Sequence, residues 1–386
     1  MLGACGSTTA DAPTSSSPAT EAPSSAAPSS GEATSPATDD AWSVPATFID
    51  CDAAGIEPGC VGEGTAGTYT SLDSAAVTTP WRVCVTVPHL KDPIWVAVNY
   101  GMVTEAQRLG VEMQFLDAGG YGGLTEQVKQ IEDCATQGAD AIVVGAVSQD
   151  ALNPVIAEAA ADGAVVVDFG NGVTSTDVAG HAIVDYYSMG YAIGEQMAAS
   201  GESKNVVLLP GPAGAGWVER SALGFKDAVA GSSVTVLDTK YGDTGKEVQL
   251  GLVQDVLATY PDVDTLVGTA VTLDVASGVL AERGLTDSIG LYATYLVPTT
   301  LDLLENGQAV CAPTEQPVTT ARMSIDLAVR LLEGKPPNEG FERMGPEPLV
   351  VCGPAAGSSD NLATFDATTS FAPSDWSPVS NVDAAE

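Results

Sequence analysis

From Arg82 onward the chain repeats one unit, a short β-branched and apolar run followed by a helical stretch. Strand-like runs fall near Val83–Val87, Val111–Phe115, Ala141–Gly145, Val165–Phe169 and Ala182–Val184. They recur near Val206–Leu209, Val234–Leu237, Thr265–Gly268, Leu291–Ala293 and Val310–Ala312. Between them lie helical stretches such as Trp95–Leu109, Leu124–Gln137 and Ala151–Ala161, which run into Gly110, Gly138 and Gly163, the residue type that best closes a helix. Strands that are apolar throughout rather than alternating are buried on both faces, which predicts parallel sheets covered by helices. One series ends near Asp185 and a second near Pro313; a further helix, Thr319–Leu332, and a last strand, Leu349–Val351, follow. The expected fold class is α/β, with two doubly wound parallel-sheet lobes.

In open parallel sheets a ligand sits beyond the carboxyl ends of the strands. The stretch VPHLKDPIW places His89, Lys91, Asp92 and Trp95 at such an end, an expensive cluster unless those side chains face something. The run PGPAGAG, Pro210 to Gly216, has the strand-to-helix setting of a phosphate loop but lacks the Gly-Lys-Ser/Thr ending, so it reads as a ligand-facing turn. The two histidines, His89 and His181, fit no metal-ligand spacing, and no CxxC, HExxH or GxSxG occurs. The expectation is therefore no catalytic residue, no metal and no cofactor, with an enzyme as the minor reading.

The segment DPIWVAVNYGMVTEAQRLGVEMQFLDAGGYGGLTEQVKQIEDCATQGADAIVVGAVSQDALNPVIAEAAADGAVVVDFGNG resembles the first lobe of type I periplasmic solute-binding proteins of the ribose-binding group. Within that group, HLKDPIWVAVNYGMVTEAQRLGV with AGGY, QIEDC, QGADA and DYYSMGY is most similar to the TorT subgroup, which senses trimethylamine N-oxide. The likeness covers roughly Trp81 to Pro354. It implies two lobes joined by three crossovers, near Asp185–Tyr186, Glu315–Gln316 and Gly334–Pro346, that close on a small ligand without chemistry. The corresponding partition is 81–185 plus 316–340 for the N-terminal lobe and 186–315 plus 341–355 for the C-terminal lobe, with 48–80 as a loop before them and 356–386 as an acidic tail.

Carried over position by position, the resemblance implies ligand contacts at Asp92, Ile94, Trp95, Gly145, Arg220, Thr294, Tyr295 and Glu315. Where many sugar binders of this group carry an Asp-Arg pair after the fourth strand, this chain has Phe169-Gly170, a departure that counts against a monosaccharide. Aromatic residues gather at loop positions instead: Trp95, Tyr121, Tyr186-Tyr187, Trp217 and Tyr295. Ring faces beside a carboxylate hold a quaternary or N-oxide nitrogen well, so Tyr121, Tyr187 and Trp217 join the candidate set and Asp92 supplies the charge. Some of these rings could equally pack the lobes together.

Residues 1–47 open with Leu2-Gly3-Ala4-Cys5, similar to a bacterial lipobox, and continue as a Ser/Thr/Ala/Pro tract too poor in apolar side chains to offset the entropy of ordering. The expectation is a lipidated Cys5 on a flexible tether, which requires the basic and apolar parts of a leader to be encoded upstream of Met1; the alternative is a chance match ahead of a plain disordered tail. Six cysteines then remain, an even number suited to an oxidising exterior. Cys51 and Cys60 would form a small clip. The strand order implied by the resemblance, 2-1-3-4-5, brings Cys84 under the helix of Cys134 and Cys311 near Cys352; for Cys84 and Cys134 a disulfide and two buried thiols remain equal alternatives.

Fourteen Lys and Arg against fifty Asp and Glu give a formal charge of -36, which repels nucleic-acid phosphates and anionic headgroups. Apolar runs such as Ala141 to Val147 fall far short of the roughly 18 residues of a membrane helix. The reading is an extracytoplasmic, lipid-anchored solute-binding protein that closes on a methylated amine or N-oxide and presents it to a membrane partner, an ABC permease or a sensor histidine kinase. The alternative is the sugar-binding receptor of an ABC importer.

Overall fold

A computed structural model describes residues 40–49, 65–337 and 343–384. The first of its two sheets opens with β1 (Ser43–Ile49) and β2 (Thr65–Thr70), an antiparallel pair, and continues as β3 (Arg82–Val87), α1 (Pro93–Leu109), β4 (Glu112–Asp117), α2 (Leu124–Thr136), β5 (Ala141–Gly145), α3 (Asn153–Ala161), β6 (Val165–Gly170) and β7 (Gly180–Ile183). The second comprises α4 (Tyr186–Ala199), β8 (Lys204–Leu209), α5 (Gly216–Val229), β9 (Val234–Thr239), α6 (Lys246–Thr259), β10 (Thr265–Gly268), α7 (Ala270–Arg283), β11 (Gly290–Ala293), α8 (Pro298–Glu305) and β12 (Cys311–Thr314). The chain then returns to the first lobe with α9 (Pro317–Leu332) and β13 (Arg343–Pro346), crosses to β14 (Leu349–Cys352) in the second sheet, and ends with β15 (Asn381–Val382) back in the first.

Strand order in the first sheet is β15-β4-β3-β5-β6-β7-β13-β1-β2 and in the second β14-β12-β11-β10-β8-β9. Both contain the 2-1-3-4-5 parallel arrangement, so β3 and β8 lie centrally and their carboxyl ends, with those of their neighbours, point at one cleft. Local sequence accounts for the elements. In α1, Asp92 caps the start, Pro93 occupies the first turn, and Gly110 ends it in the left-handed region at φ 69°, its N–H returning to Ala106 and Gln107. Val, Ile and Leu fill both faces of the central strands, and separate apolar clusters cover the two sides of each sheet.

Three segments depart from the expectation. Residues assigned to a tether and a preceding loop form β1 and β2, which extend the first sheet beyond β13. Arg343–Pro346, placed with the C-terminal lobe, pairs with β7 and β1 of the first sheet instead, so the third crossover falls at 346–349. The acidic tail is built into the fold, with short helical turns, buried Ser370 and the added strand β15. None of the three carries a strong internal period; each is ordered by partners distant in sequence.

The partners of the β1–β2 pair form a buried charge network. Asp326 on α9 accepts from the Tyr69 hydroxyl and from the Leu72 N–H at 2.7 Å, and pairs with Arg330 at 3.3 Å. Glu105 on α1 pairs with Arg322 at 2.8 Å and accepts from the Trp42 indole N–H at 3.1 Å, while the Arg322 guanidinium lies 4.4 Å from the Trp42 ring centre. Arg108 binds both Glu105 and Asp40. Burial pushes the Asp326 carboxyl above its ordinary value, and Arg330 and Tyr69 pull it back.

Cys311 and Cys352 face each other across β12 and β14 and are bonded, with Cα atoms 4.1 Å apart. Cys84 and Cys134 are bonded too, at 6.0 Å, which settles the alternative left open by sequence. Cys5, Cys51 and Cys60 lie outside the described residues.

Non-reducing peptide mapping should recover Cys84–Cys134 and Cys311–Cys352 as linked peptides; free thiols at all four would contradict both bonds. Replacing Asp326 by alanine leaves Arg330 with the Thr70 carbonyl but no counter-charge, and the Tyr69 hydroxyl and the Leu72 N–H without their acceptor, and should cost about 3 kcal/mol or more in urea denaturation. Tyr69→Phe, which deletes one hydrogen bond, should cost about 1 kcal/mol.

Candidate functional site

The cleft holds a cavity of about 610 Å³, counting the part open to solvent, lined by residues of both lobes. The first lobe contributes His89, Asp92, Ile94, Trp95, Tyr121 and Asn171; the second contributes Tyr186, Trp217, Ser221, Thr244, Thr294 and Tyr295, and Glu315 sits at the second crossover.

Asp92 is fixed by its capping role: one carboxylate oxygen accepts from the Ile94 N–H at 2.9 Å, which leaves the other available to the cavity. Burial raises its pKa, and the Ile94 N–H and then His89 oppose the rise. One turn into the helix, Trp95 is only 6% exposed and stands edge-on to Phe169 at 6.1 Å. Gly145 lies beneath it, where a Cβ would meet the indole at 3.1 Å, so this glycine sets how deep the ring can sit. His89 stands edge-on to Tyr121 at 5.6 Å, and the Asn171 amide donates to the Tyr121 hydroxyl at 3.2 Å. Across the cleft, Trp217 stands edge-on to Tyr295 at 6.3 Å and lies 6.3 Å from Tyr186.

The electrostatics are one-sided. No Lys or Arg is among the described residues that line the cavity, and Lys91 turns away to donate to the Gly119 carbonyl at 2.8 Å. Glu315 is 7% exposed, and burial, followed by repulsion from Asp92 and opposed by a hydrogen bond from its own backbone, lifts its pKa to about 7. Burial holds His89 below its ordinary value and so favours the neutral ring at neutral pH. Three buried polar atoms of this lining, His89 Nδ1, Thr294 Oγ1 and Glu315 Oε2, have no hydrogen-bond partner. Together these features make a cavity of ring faces and carboxylates with a few unpartnered polar atoms, chemistry that suits a cation or a positively polarised nitrogen.

Of the residues singled out from sequence, Asp92, Ile94, Trp95, Tyr121, Trp217, Thr294, Tyr295 and Glu315 line the cavity. Gly145 serves it from below. Tyr187 and Arg220 are not part of the lining. The Tyr187 hydroxyl donates to Asp227 at 3.1 Å and its ring stacks on Tyr191 at 6.0 Å, outside the cleft. It is the preceding residue, Tyr186, that faces inward, because successive helical side chains diverge by about 100°. The same rule separates Arg220 from the cavity: Trp217 and Ser221 share a face of α5 at i and i+4, and Arg220 lies off it, near enough to Arg343 that burial first, and the Arg220 charge after it, hold Arg343 down to about 10. Helical spacing from Trp217 could have selected Ser221, and the strand-end rule could have selected Asn171 after β6. Thr244, in the turn before α6, carried no sequence signal.

Comparison with known proteins adds three findings. The model of the periplasmic binding protein domain family matches residues 83–336. The periplasmic protein TorT of Escherichia coli (strain K12) is 31% identical over 284 residues, covering 73% of this chain and 80% of that protein; the crystal structure of the TorS sensor domain–TorT complex in the presence of TMAO aligns with TM-score 0.69 at 30% identity over 78% of this chain and 99% of that one. The crystal structure of an ABC transporter solute-binding protein from Bradyrhizobium sp. BTAi1 with bound Bis-Tris aligns with TM-score 0.77 at 40% identity, covering 88% of this chain and 98% of that one.

The raised Glu315 pKa has a consequence for stability without ligand. The folded chain holds this proton more tightly than the unfolded one, so stability falls as pH rises from the ordinary 4.5 and levels off above about 7. The loss is on the order of 3 kcal/mol. Glu315→Gln should flatten this part of the profile and be the more stable protein at pH 8 in thermal melts; identical profiles for the two proteins would remove Glu315 from the account.

Proposed function

The chain belongs to the periplasmic binding protein family, whose matched relatives are solute-binding and receptor proteins, and from that premise we propose that it closes its two lobes on a methylated amine or amine N-oxide. The observation that carries this reading is the lining itself: ring faces from both lobes around two carboxylates, with no cationic side chain among the described lining residues. A trimethylammonium or N-oxide nitrogen has diffuse positive charge and no N–H, so it cannot satisfy a polar pocket but gains about 0.5 to 2 kcal/mol from each ring it touches. The names of two relatives point the same way. One was crystallised with TMAO present, and another holds Bis-Tris, a hydroxylated tertiary amine that is largely protonated at mildly acidic pH.

Closure follows from the division of the site. A ligand favours the closed form only by binding it better than the open one, which requires contacts from both sides. Asp92 and Trp95 stand on the first lobe, and Trp217 and Tyr295 on the second. The role is binding rather than catalysis, and it is exercised outside the cytoplasm, with Cys5, beyond the described residues, as the lipid-bearing residue. The membrane partner in this proposal is a sensor kinase of the TorS kind or an ABC permease; the TorS–TorT complex supports the first and the Bradyrhizobium transporter protein the second.

Calorimetry with trimethylamine N-oxide, glycine betaine, choline and ribose tests the reading. The preferred amine should bind at least tenfold more weakly to Trp95→Ala, about 1.4 kcal/mol, and Asp92→Asn should weaken choline far more than any neutral sugar. Because a bound cation favours ionised Glu315, affinity for choline should rise with pH up to about 7 and then level, a slope that a neutral sugar would not show. Tight ribose binding without pH dependence would replace the amine reading with the sugar-receptor one.

A further inference from the structure

Beyond Cys352 the chain does not end on the second lobe. Asn361 locks the start of the tail onto β14, its side chain accepting from the Cys352 N–H and donating to the Val350 carbonyl, both at 2.8 Å. Phe365 and Phe371, edge-to-face at 6.1 Å, pack against the apolar core of the second lobe. Ser370 is fully buried at the hinge, its hydroxyl 2.8 Å from that of Thr314, the residue before Glu315. The Thr369 carbonyl accepts from Thr319 on α9, just past the same crossover, at 3.5 Å.

Within a few residues the chain is held as firmly by the other lobe. Trp376 stands edge-on to Tyr100 of α1 at 5.0 Å, and its indole N–H donates to the Asn99 side chain at 3.2 Å. Asn99, itself fully buried, also accepts from the Val379 N–H at 2.9 Å and donates to the Val379 carbonyl at 2.8 Å. Strand β15 then pairs with β4, Asn381 opposite Gln114 and Val382 opposite Met113.

We infer that residues 353–384 form a fourth connection between the lobes, a strap that limits how far the cleft opens. Three crossovers alone act as a hinge. The strap adds two sites of attachment, one per lobe, joined by the five steps from Phe371 to Trp376, which reach at most about 18 Å when fully extended. Part of that length is taken up by a turn in which the Trp376 N–H donates to the Pro373 carbonyl at 2.9 Å, and Pro373 stiffens it. Separating the lobes must first undo this turn and then pull Trp376 off Tyr100 and Asn99. The strap also touches the hinge at Thr314, so the same segment fixes the backbone that carries Glu315 into the cavity. A narrower range of open states lowers the cost of reaching the closed one, as any preorganised site does.

The test uses ligand-free protein and so is independent of what the cavity binds. Spin labels introduced as unnatural amino acids at exposed Glu132 on α2 and Glu282 on α7 leave both disulfides intact and report the distance between lobes by electron–electron resonance. Trp376→Ala and, separately, Asn99→Ala should shift that distribution to longer distances and broaden it, with amide exchange showing residues 374–382 released while β3 and β8 stay protected. An unchanged distribution in a variant whose tail exchanges freely would overturn the inference.

Discussion

The site depends first on a set of buried charges far from it. Helix α1 carries Asp92 and Trp95 at one end and Glu105 and Arg108 at the other, and the latter are locked to Arg322, Asp40 and Trp42. Buried carboxylates are tolerated only when paired, and once paired they allow little rearrangement, because moving any one leaves another charge unmatched in a poorly solvating interior. The network therefore fixes the position of α1 on its sheet. Through the stiffness of the helix it also fixes where Asp92 and Trp95 enter the cleft.

At the cavity the logic is reversed. Carboxylates here are not neutralised by protein cations; Glu315 resists ionisation because burial disfavours its charge and Asp92 repels it. The free protein thus holds a site that is electrostatically incomplete, which in the proposed function a positively polarised ligand completes. Aromatic walls suit this arrangement. They carry no positive charge that would neutralise the carboxylates, while their faces favour a positively polarised group. Stability without ligand and affinity for it are in this sense opposed, as is common where function needs a strained or unmatched group.

Both ends of the described chain reinforce the first lobe. Strand β13 with the β1–β2 pair extends its sheet at one edge and β15 at the other, so a five-strand parallel arrangement becomes nine strands wide. The tail does so after traversing the second lobe, which makes the hinge a matter of four segments rather than three. The disulfides have a local role by comparison: Cys311–Cys352 joins neighbouring strands of one sheet, and Cys84–Cys134 joins a strand to the helix above it.

Much of this was legible in the residues because it rests on local physics. The apolar runs, the Asp92-Pro93 start and the Gly110 end of α1 dictate elements by hydrophobic period and capping, and the βα alternation with the strand-end rule points to Asp92 and Trp95, whereas Tyr295 and Glu315 followed from the resemblance to the family. What sequence could not decide was anything resting on a partner distant along the chain. Tyr186 rather than Tyr187, and Ser221 rather than Arg220, face the cavity because of the rotational setting of α4 and α5, which is fixed by how those helices pack together; glycines 190 and 224 lie so close to the opposing backbone that a Cβ would collide with it. The residues taken for a loop and a tail became strands because Glu105, Asp326, Asn99 and the edge of β4 were waiting for them, contacts made across 63, 257, 280 and more than 250 positions of sequence. Periodicity reports what a segment can bury, whereas only the assembled fold determines which surface it finds to bury it against.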